Sequence, residues 1–364
     1  MRLCSINSSG GRYHNKRMTN VAILGSTGSI GRQSLDVIRR FPNEFNVVGL
    51  AGGKNIDLFR EQVDEFKPEY CYTSTDILEG IADLKEVSLD ADMVIVAIPG
   101  LVAMDAVRDA LKKGKKVLLA TKEIVVCAGE LLSHELRDRQ KVLPIDSEIS
   151  AVWQCLSGEN VEKVKRIILT ASGGPFYTYD RKRLESVTPD EAVKHPRWNM
   201  GKKVSMDSAT LVNKAMEVAE IHWLFGIPYW QIDVVIHPQS VVHSMVEFCD
   251  GSVKAQLAAP DMRVPIQYAL FEGKRREASE YPCVFGSLGF HDLITGEFPC
   301  FDIFLKALKL GGTYPAALCS ADEVAVNGFL SGELPFLGIE RRLSETLAKH
   351  KPKQLRWETL EAPT

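Results

Sequence analysis

Between residues 19 and 146, short apolar runs alternate with segments of helical period. This pattern is typical of repeated β-α units around a parallel sheet. The runs are nearly continuous in Val, Ile and Leu, as in strands covered on both faces. We therefore predict an α/β chain whose residues 19–148 form a Rossmann-type domain. Its predicted strands are 21–25, 47–51, 70–73, 93–98, 116–120 and 142–145, and its predicted helices are 30–40, 56–66, 102–113 and 130–140.

The pattern changes after Ser147. Candidate strands at 166–171, 234–237, 240–248 and 253–257, with a hairpin turn at Asp250-Gly251, predict an α+β domain over 149–271. Residues 272–298 have no clear period and are predicted to be a linker. Helical period at 303–310, 315–330 and 339–349 predicts a small helical domain over 299–364.

Charge and composition exclude several classes of protein. The 364 residues carry 44 Lys plus Arg against 47 Asp plus Glu, a net charge of −3, so no global positive field favours nucleic acid. The longest uncharged apolar stretch, 93–104, is shorter than the roughly 18 residues of a spanning helix, so no membrane segment is predicted. The eight cysteines form no C-x-x-C, which predicts reduced thiols in a cytoplasmic protein.

Residues 1–18 are predicted to be a short extension. The stretch before Met18 is basic and has no apolar region, so it is not a secretory signal. A disordered extension or an alternative start at Met18 is favoured over the remnant of a transit peptide.

A glycine-rich turn, GSTGSIG at 25–31, joins the first predicted strand to the first helix. Glycines let the backbone approach a pyrophosphate, whose charge is met by the amides of the helix N-terminus. The second strand is followed by Lys54 and Asn55 rather than by an acidic residue. A cation and an amide there suit a 2′-phosphate, so NADPH is favoured over NADH, although Lys54 in a solvated loop is the alternative.

Two carboxylates follow the sixth predicted strand in the segment Asp146-Ser147-Glu148. On an extended segment they point the same way, at the edge where open α/β sheets bind ligands. Such a pair suits Mg²⁺ or Mn²⁺ if a third ligand joins it, and is otherwise a solvated turn. Glu217 is the candidate third ligand.

Glu217 lies on a helix predicted to begin at a cap on Asp207 or Ser208 and to end before Gly226. Ser208, Asn213 and Lys214 on this segment suit a phosphate, and an ordinary polar helix face is the alternative. The preceding loop, which contains His195 and Trp198, is long enough to close as a lid over 194–204.

Three smaller features are ambiguous by themselves. Ser172, in the turn SGGP, has a hydroxyl for an anion. Lys122 and Glu123 follow the fifth strand, where they suit substrate and cofactor ribose respectively. His237 is interpreted as structural or as supporting a residue that binds the ligand.

Taken together, these motifs resemble the 1-deoxy-D-xylulose 5-phosphate reductoisomerase family. The matching segments, in order, are GSTGSIG at 25–31, ATKE at 120–123, DSE at 146–148, ASGGPF at 171–176, HPRW at 195–198, MDSAT at 206–210, NK at 213–214 with Glu217, and IHPQS at 236–240. In three places the chain departs from the family's usual residues: Thr121 replaces Asn, Ile149 replaces His, and Asp322 replaces Asn.

The resemblance implies an enzyme that uses NADPH and a divalent metal to rearrange and reduce 1-deoxy-D-xylulose 5-phosphate to 2-C-methyl-D-erythritol 4-phosphate, a step toward isoprenoid precursors. It also implies a homodimer whose central domain serves catalysis and dimerisation, and a carbon rearrangement by retro-aldol cleavage or by a 1,2-shift.

The implied roles are assigned residue by residue. The metal ligands are Asp146, Glu148 and Glu217, which are catalytic together with Lys122 and His195. The substrate contacts are Lys122, Ser147, Glu148, Ser172, His195, Trp198, Ser208, Asn213, Lys214 and Glu217. The cofactor contacts are Thr27, Gly28, Ser29, Ile30, Gly53, Lys54, Asn55, Thr121, Glu123 and Gly201.

Two other hypotheses share the glycine loop. A simpler NADPH dehydrogenase of the homoserine or semialdehyde type would not need the three carboxylates together. An NADPH-binding sensor without catalysis would bind the cofactor regardless of metal and sugar phosphate.

Overall fold

A computed structural model describes residues 17–74, 83–194, 201–277, 281–283, 286–294 and 296–361. Nearly all of the predicted extension, 1–18, lies outside the described residues, as do His195 and Trp198 of the predicted lid. No described helix is long and apolar enough to cross a membrane.

The first sheet is parallel, with the strand order β3-β2-β1-β4-β5-β6. This order is that of a doubly wound Rossmann sheet, and it reverses between β1 and β4, so the predicted fold class is confirmed. Its strands are β1 (Thr19–Leu24), β2 (Phe45–Gly52), β3 (Tyr70–Thr73), β4 (Met93–Val96), β5 (Lys116–Leu119) and β6 (Val142–Pro144). The helices of this part are α1 (Ser29–Arg40), α2 (Ile56–Phe66), α3 (Leu84–Val87), α4 (Met104–Lys112), α5 (Lys122–Ala128) and α6 (Ser133–Arg137).

The helix predicted over 130–140 differs in the structure. α5 begins directly after β5 at Lys122, and only the shorter α6 lies in the predicted range. The run Ile124–Ala128 is fully apolar and buried, so it lacks the polar face by which an amphipathic helix is recognised in a sequence.

A second sheet follows α7 (Ser147–Leu156), with the order β10-β9-β7-β8-β11. β9 and β10 form the predicted hairpin, and Gly251 in its turn has φ of +86°. β7 and β8 are parallel, so the sheet is mixed. The strands are β7 (Val164–Ala171), β8 (Ile232–Ile236), β9 (Val242–Phe248), β10 (Val253–Leu257) and β11 (His291–Asp292), and the helices are α8 (Arg181–Leu184), α9 (Pro189–Ala192), α10 (Lys202–Thr210), α11 (Val212–Phe225) and α12 (Arg263–Leu270).

Two predictions for the helices around the site are wrong. Asp207 and Ser208 lie inside α10 instead of capping a helix, and the chain breaks at the buried Leu211, whose φ is +58°. Asp146 to Glu148 are not extended, because Asp146 occupies the N-cap position of α7 and Ser147 and Glu148 form its first turn. The expected end at Gly226 is confirmed, with φ of +72°.

Four helices form the C-terminal part: α13 (Pro299–Leu310), α14 (Tyr314–Leu330), α15 (Phe336–Lys349) and α16 (Trp357–Glu361). Before them, β11 pairs with β8, so the predicted linker contributes a strand to the second sheet.

The core crosses the predicted domain boundaries. One buried cluster joins Val94 of the first sheet, Leu169 of the second sheet and Phe304 of α13. Within it, α11 packs against α5, α7 and α13. On the opposite face of the first sheet, Ile266 of α12 shares a second cluster with Leu35 of α1. Because α5, α7 and α11 are packed on several sides, the polar residues that they carry are held in a rigid frame.

Candidate active site

The glycine-rich turn brings the N-terminus of α1 against the first sheet. Gly25 has φ of +100°, and a Cβ there would lie 2.6 Å from the carbonyl oxygen of Ala97. A Cβ on Gly31 would lie 2.2 Å from the carbonyl oxygen of Gly25, so a larger residue at either position needs the backbone to move. Because α1 begins where the strand order reverses, its amides face the crevice in which such sheets bind dinucleotides.

The turn is tied to the end of β2, where the residues predicted to select NADPH lie. The Gly53 amide donates to Thr27 Oγ1 at 3.2 Å. Lys54 is exposed, whereas Asn55 Oδ1 accepts from the Leu58 amide at 3.2 Å and caps α2. The cap gives Asn55 a structural function beside the predicted cofactor contact.

Thr121 and Glu123 lie at the start of α5. The Thr121 hydroxyl is buried and donates to the carbonyl oxygen of Ile98 at 2.8 Å. This bond joins the end of β5 to the loop after β4. Glu123 is half-buried in the first turn of α5.

The three predicted metal ligands meet at one point. Oxygen atoms of Asp146, Glu148 and Glu217 all lie within 4.8 Å of one another, although Glu217 comes from a distant helix, α11. Asp146 Oδ2 is buried and makes no hydrogen bond to a described residue, even though it lies 3.0 Å from Lys122 Nζ. Three carboxylates with an unsatisfied oxygen form a donor set that fits a hard divalent cation.

Two buried lysines balance part of this negative charge. Lys122 Nζ lies 2.7 Å from Glu217 Oε1 and donates to Asn213 Oδ1 at 2.8 Å. Lys214 Nζ lies 2.5 Å from Glu217 Oε2 and 3.5 Å from Glu148 Oε1. Once Asp146 is ionised, three carboxylates against two ammonium groups leave the site one negative charge in excess, which favours a cation.

The environment gives the two carboxylates of α7 different proton affinities. Burial raises the pKa of Asp146 to about 7, against the opposing effect of Lys122. Burial also works to raise the pKa of Glu148, but the charge of Lys214, then those of His243 and Lys122, lower it to about 2. Glu148 is therefore ionised at neutral pH, while Asp146 exchanges its proton near neutrality and becomes a full ligand once it is lost.

The side chains predicted to bind phosphate lie beside the carboxylates. Gly173 and Gly174 have φ of +84° and +69°, and a Cβ on Gly174 would lie 2.6 Å from the carbonyl oxygen of Ser208. The turn after β7 thus packs directly on α10, which brings Ser172 near Ser208. The Gly174 amide donates to Ser172 Oγ at 3.2 Å, which orients that hydroxyl.

The carboxylates, the two lysines and the predicted phosphate-binding side chains line one cavity of about 650 Å³. Of the predicted site residues, it is lined by Ser29, Ile30, Lys122, Asp146, Ser147, Glu148, Ser172, Gly201, Ser208, Asn213, Lys214 and Glu217. The other predicted cofactor contacts are not in this lining and belong to the turn, the end of β2 and the start of α5. They are Thr27, Gly28, Gly53, Lys54, Asn55, Thr121 and Glu123.

Sequence reasoning missed two buried groups of the site. Glu220, on α11, is buried, and its Oε2 makes no hydrogen bond to a described residue; burial and then the charge of Asp146 raise its pKa well above the usual range. His243 on β9 is buried, and its charge lowers the pKa of Glu148. The spacing of Glu220, three residues after Glu217, could have pointed to it, since such residues are neighbours on a helix.

His237 is structural, as predicted. It is fully buried, and its Nε2 accepts from the amides of Val241 and Val242 at 3.2 Å. An accepting Nε2 places the proton on Nδ1, which donates to the Gly289 carbonyl at 2.8 Å.

Comparison with known proteins assigns the chain to a family. Residues 21–129 match the model of 1-deoxy-D-xylulose 5-phosphate reductoisomerase, residues 142–225 match its C-terminal domain model, and residues 257–362 match the DXP reductoisomerase C-terminal domain. The chain belongs to the 1-deoxy-D-xylulose 5-phosphate reductoisomerase family. The resemblance seen in the motifs is thereby confirmed, and the family is one of oxidoreductases.

Relatives and solved structures of the family match this chain over nearly its whole length. The reductoisomerase of Pelotomaculum thermopropionicum is 48% identical over 362 residues, covering 92% of each chain, and that of Caldanaerobacter subterraneus is 45% identical over 355 residues, covering 92% of this chain and 93% of its own. The structure of the Zymomonas mobilis reductoisomerase with NADPH matches with a TM-score of 0.83 and 35% identity, covering 94% of this chain and 95% of that one. A DOX-P reductoisomerase in complex with NADPH, fosmidomycin and magnesium also has a TM-score of 0.83, at 34% identity, covering 91% and 90%.

We expect the substitution Lys54→Glu to weaken NADPH binding by about 10- to 100-fold and to leave NADH binding unchanged, because it replaces the cation predicted to face the 2′-phosphate with an anion. Fluorescence titration with each cofactor measures both affinities. Lys309→Glu, an equal charge change on the exposed end of α13, is the control and leaves both unchanged. Unchanged selectivity in Lys54→Glu contradicts the role of Lys54.

Proposed function

We propose that this chain rearranges 1-deoxy-D-xylulose 5-phosphate and reduces the product to 2-C-methyl-D-erythritol 4-phosphate, using NADPH and Mg²⁺ or Mn²⁺. The observation that carries the proposal is the meeting of three carboxylates and two lysines in one cavity beside the N-terminus of α1. A dehydrogenase that only transfers hydride has no need of this carboxylate set.

Asp146, Glu148 and Glu217 hold the metal, and the family relationship supports this assignment. When bound, the metal supplies a Lewis acid for charge on substrate oxygens, and NADPH supplies the hydride. The three ligands are fixed before substrate arrives, because Glu217 is buried on α11 and Glu148 accepts from Ser147 Oγ at 2.5 Å. Such preorganisation means that little reorganisation is needed during the reaction.

Lys122 and Lys214 stabilise negative charge on the substrate. Lys214 is buried and Lys122 exposes 13% of its side chain, and the carboxylates around them hold the pKa values of both lysines above the usual range despite the opposing effect of burial. They therefore remain protonated donors at neutral pH. Because Lys122 contacts both Asn213 and Glu217, it lies between the metal ligands and the side chains assigned to substrate.

Ser172, Ser208 and Asn213 bind and orient the substrate, with the phosphate between the turn after β7 and α10. The predicted lid over 194–204, with His195 and Trp198, is assigned to excluding water from the reacting carbons. The residues assigned to NADPH binding are Thr27, Gly28, Ser29, Ile30, Gly53, Lys54, Asn55, Thr121, Glu123 and Gly201.

We expect the wild-type chain to oxidise NADPH in the presence of 1-deoxy-D-xylulose 5-phosphate only when Mg²⁺ or Mn²⁺ is added, as followed by absorbance. Asp146→Asn and Glu217→Gln abolish this turnover and weaken Mn²⁺ binding by at least about tenfold, while NADPH affinity stays within a few-fold. Glu130→Gln, at an exposed carboxylate, is the control and keeps full activity. Absence of metal-dependent turnover in folded wild-type protein would refute the proposed function.

The chain is proposed to form a homodimer through its second sheet. β10 is the edge strand of that sheet among the described residues, and three of its five residues are exposed. Edge strands with free backbone groups pair readily with another strand. Sedimentation equilibrium is expected to give twice the monomer mass, and a monomer at micromolar concentration would contradict this proposal.

A cytoplasmic location is supported by the cysteines. The seven described ones form no disulfide, and four of them are buried. Reduced thiols are typical of the cytoplasm. Thiol titration of the denatured protein, purified without reductant, is expected to find every cysteine free, and a disulfide found there would contradict the proposal.

A further inference from the structure

A second buried charge cluster, outside the metal site, joins α10 to the C-terminal helices. Lys203 Nζ lies 2.8 and 2.7 Å from the two carboxylate oxygens of Asp207 and 2.5 Å from Asp322 Oδ2. Asp207 is 4% exposed and Asp322 is fully buried. We call Lys203, Asp207 and Asp322 the α10–α14 clamp.

The clamp contains one carboxyl group more than its lysine can neutralise. Burial, followed by the charge of Asp322, raises the pKa of Asp207 well above the usual range. Asp322 Oδ1 is buried and makes no hydrogen bond to a described residue.

The clamp lies one residue from the proposed phosphate site. Asp207 precedes Ser208, and the Ser208 carbonyl is in the tight contact with Gly174 described above. Movement of α10 by a fraction of an ångström therefore displaces Ser208 relative to Ser172. α10 begins at Lys202, within the range predicted for the lid, so the last residues of that range are helical.

We propose that Asp322, on α14, is a positioning residue for the substrate phosphate. Asp322 acts on Ser208 through Lys203 and Asp207. The inference rests on the proposed function and adds to it a role for the C-terminal helices, which contribute no residue to the lining of the cavity. A Lys–Asp pair within α10 alone would stabilise that helix without fixing it against α14.

The test compares two classes of substitution at Asp322. Asp322→Leu and Asp322→Ala remove the link to Lys203, and we expect them to raise KM for the sugar phosphate by about 10- to 100-fold with kcat reduced much less. KM for NADPH stays unchanged. Asp322→Asn restores the link, since its carbonyl accepts from Lys203 and its amide donates to Asp207, so KM returns to within about twofold of wild type.

Glu323→Gln, at the exposed neighbouring position of α14, is the matched control and leaves every parameter unchanged. The inference is overturned if folded Asp322→Leu or Asp322→Ala retains the wild-type KM, or if Asp322→Asn has a KM as high as theirs. It is also overturned if the Asp322 variants lose kcat and NADPH affinity in proportion to the fall in their thermal unfolding midpoint. A purely structural role for Asp322 requires that result.

Calorimetric titration of the sugar phosphate into wild type and variants separates this inference from the proposed function. If the wild type binds the sugar phosphate without turning it over, the proposed function fails, and the affinities of the Asp322 variants still test the clamp. If wild type turns over and Asp322→Leu and Asp322→Ala bind as tightly as wild type, the clamp has no role in binding.

Discussion

Three carboxylates and two ammonium groups, all buried or nearly so, lie together where α5, α7 and α11 meet. Removing an ion from water costs several kcal/mol, so each charge is tolerated only because an opposite charge or a donor lies beside it. Glu217, at 1% exposure, illustrates this, since it contacts both Lys122 and Lys214. The positions of the three helices follow from this pairing, because separating any of them leaves an unpaired buried charge.

The backbone around the site packs closely at positions occupied by glycine. Gly31 allows α1 to approach the turn before it, and Gly174 allows the turn after β7 to approach α10. Leu211 takes a left-handed conformation that costs a non-glycine residue free energy, and its complete burial in the core offsets that cost. The break between α10 and α11 turns Ser208 and Asn213 toward one cavity.

Much of this arrangement was predictable from the sequence. The alternating pattern predicted the parallel sheet, the Asp250-Gly251 turn predicted the hairpin of the second sheet, and the motifs predicted Asp146, Glu148 and Glu217 as one metal site. Local conformation was less predictable. Asp207 was expected to cap a helix and lies inside one, because packing against α14 and pairing with Lys203 outweigh its intrinsic preference for a cap. Glu220 was hidden in the apolar pattern of α11, a helix buried on nearly all sides.

The sequence by itself determined the fold class, the family and the identity of the chemical groups, because periodicity, glycine turns and motifs are local along the chain. Only the tertiary structure decided which charges share a site. Lys214 was predicted to bind phosphate and lies among the metal ligands, whereas Lys203 lies between two aspartates of different helices. Such partners lie far apart in sequence, as Asp322 does from Lys203, and only packing brings them close enough for their charges to act on one another.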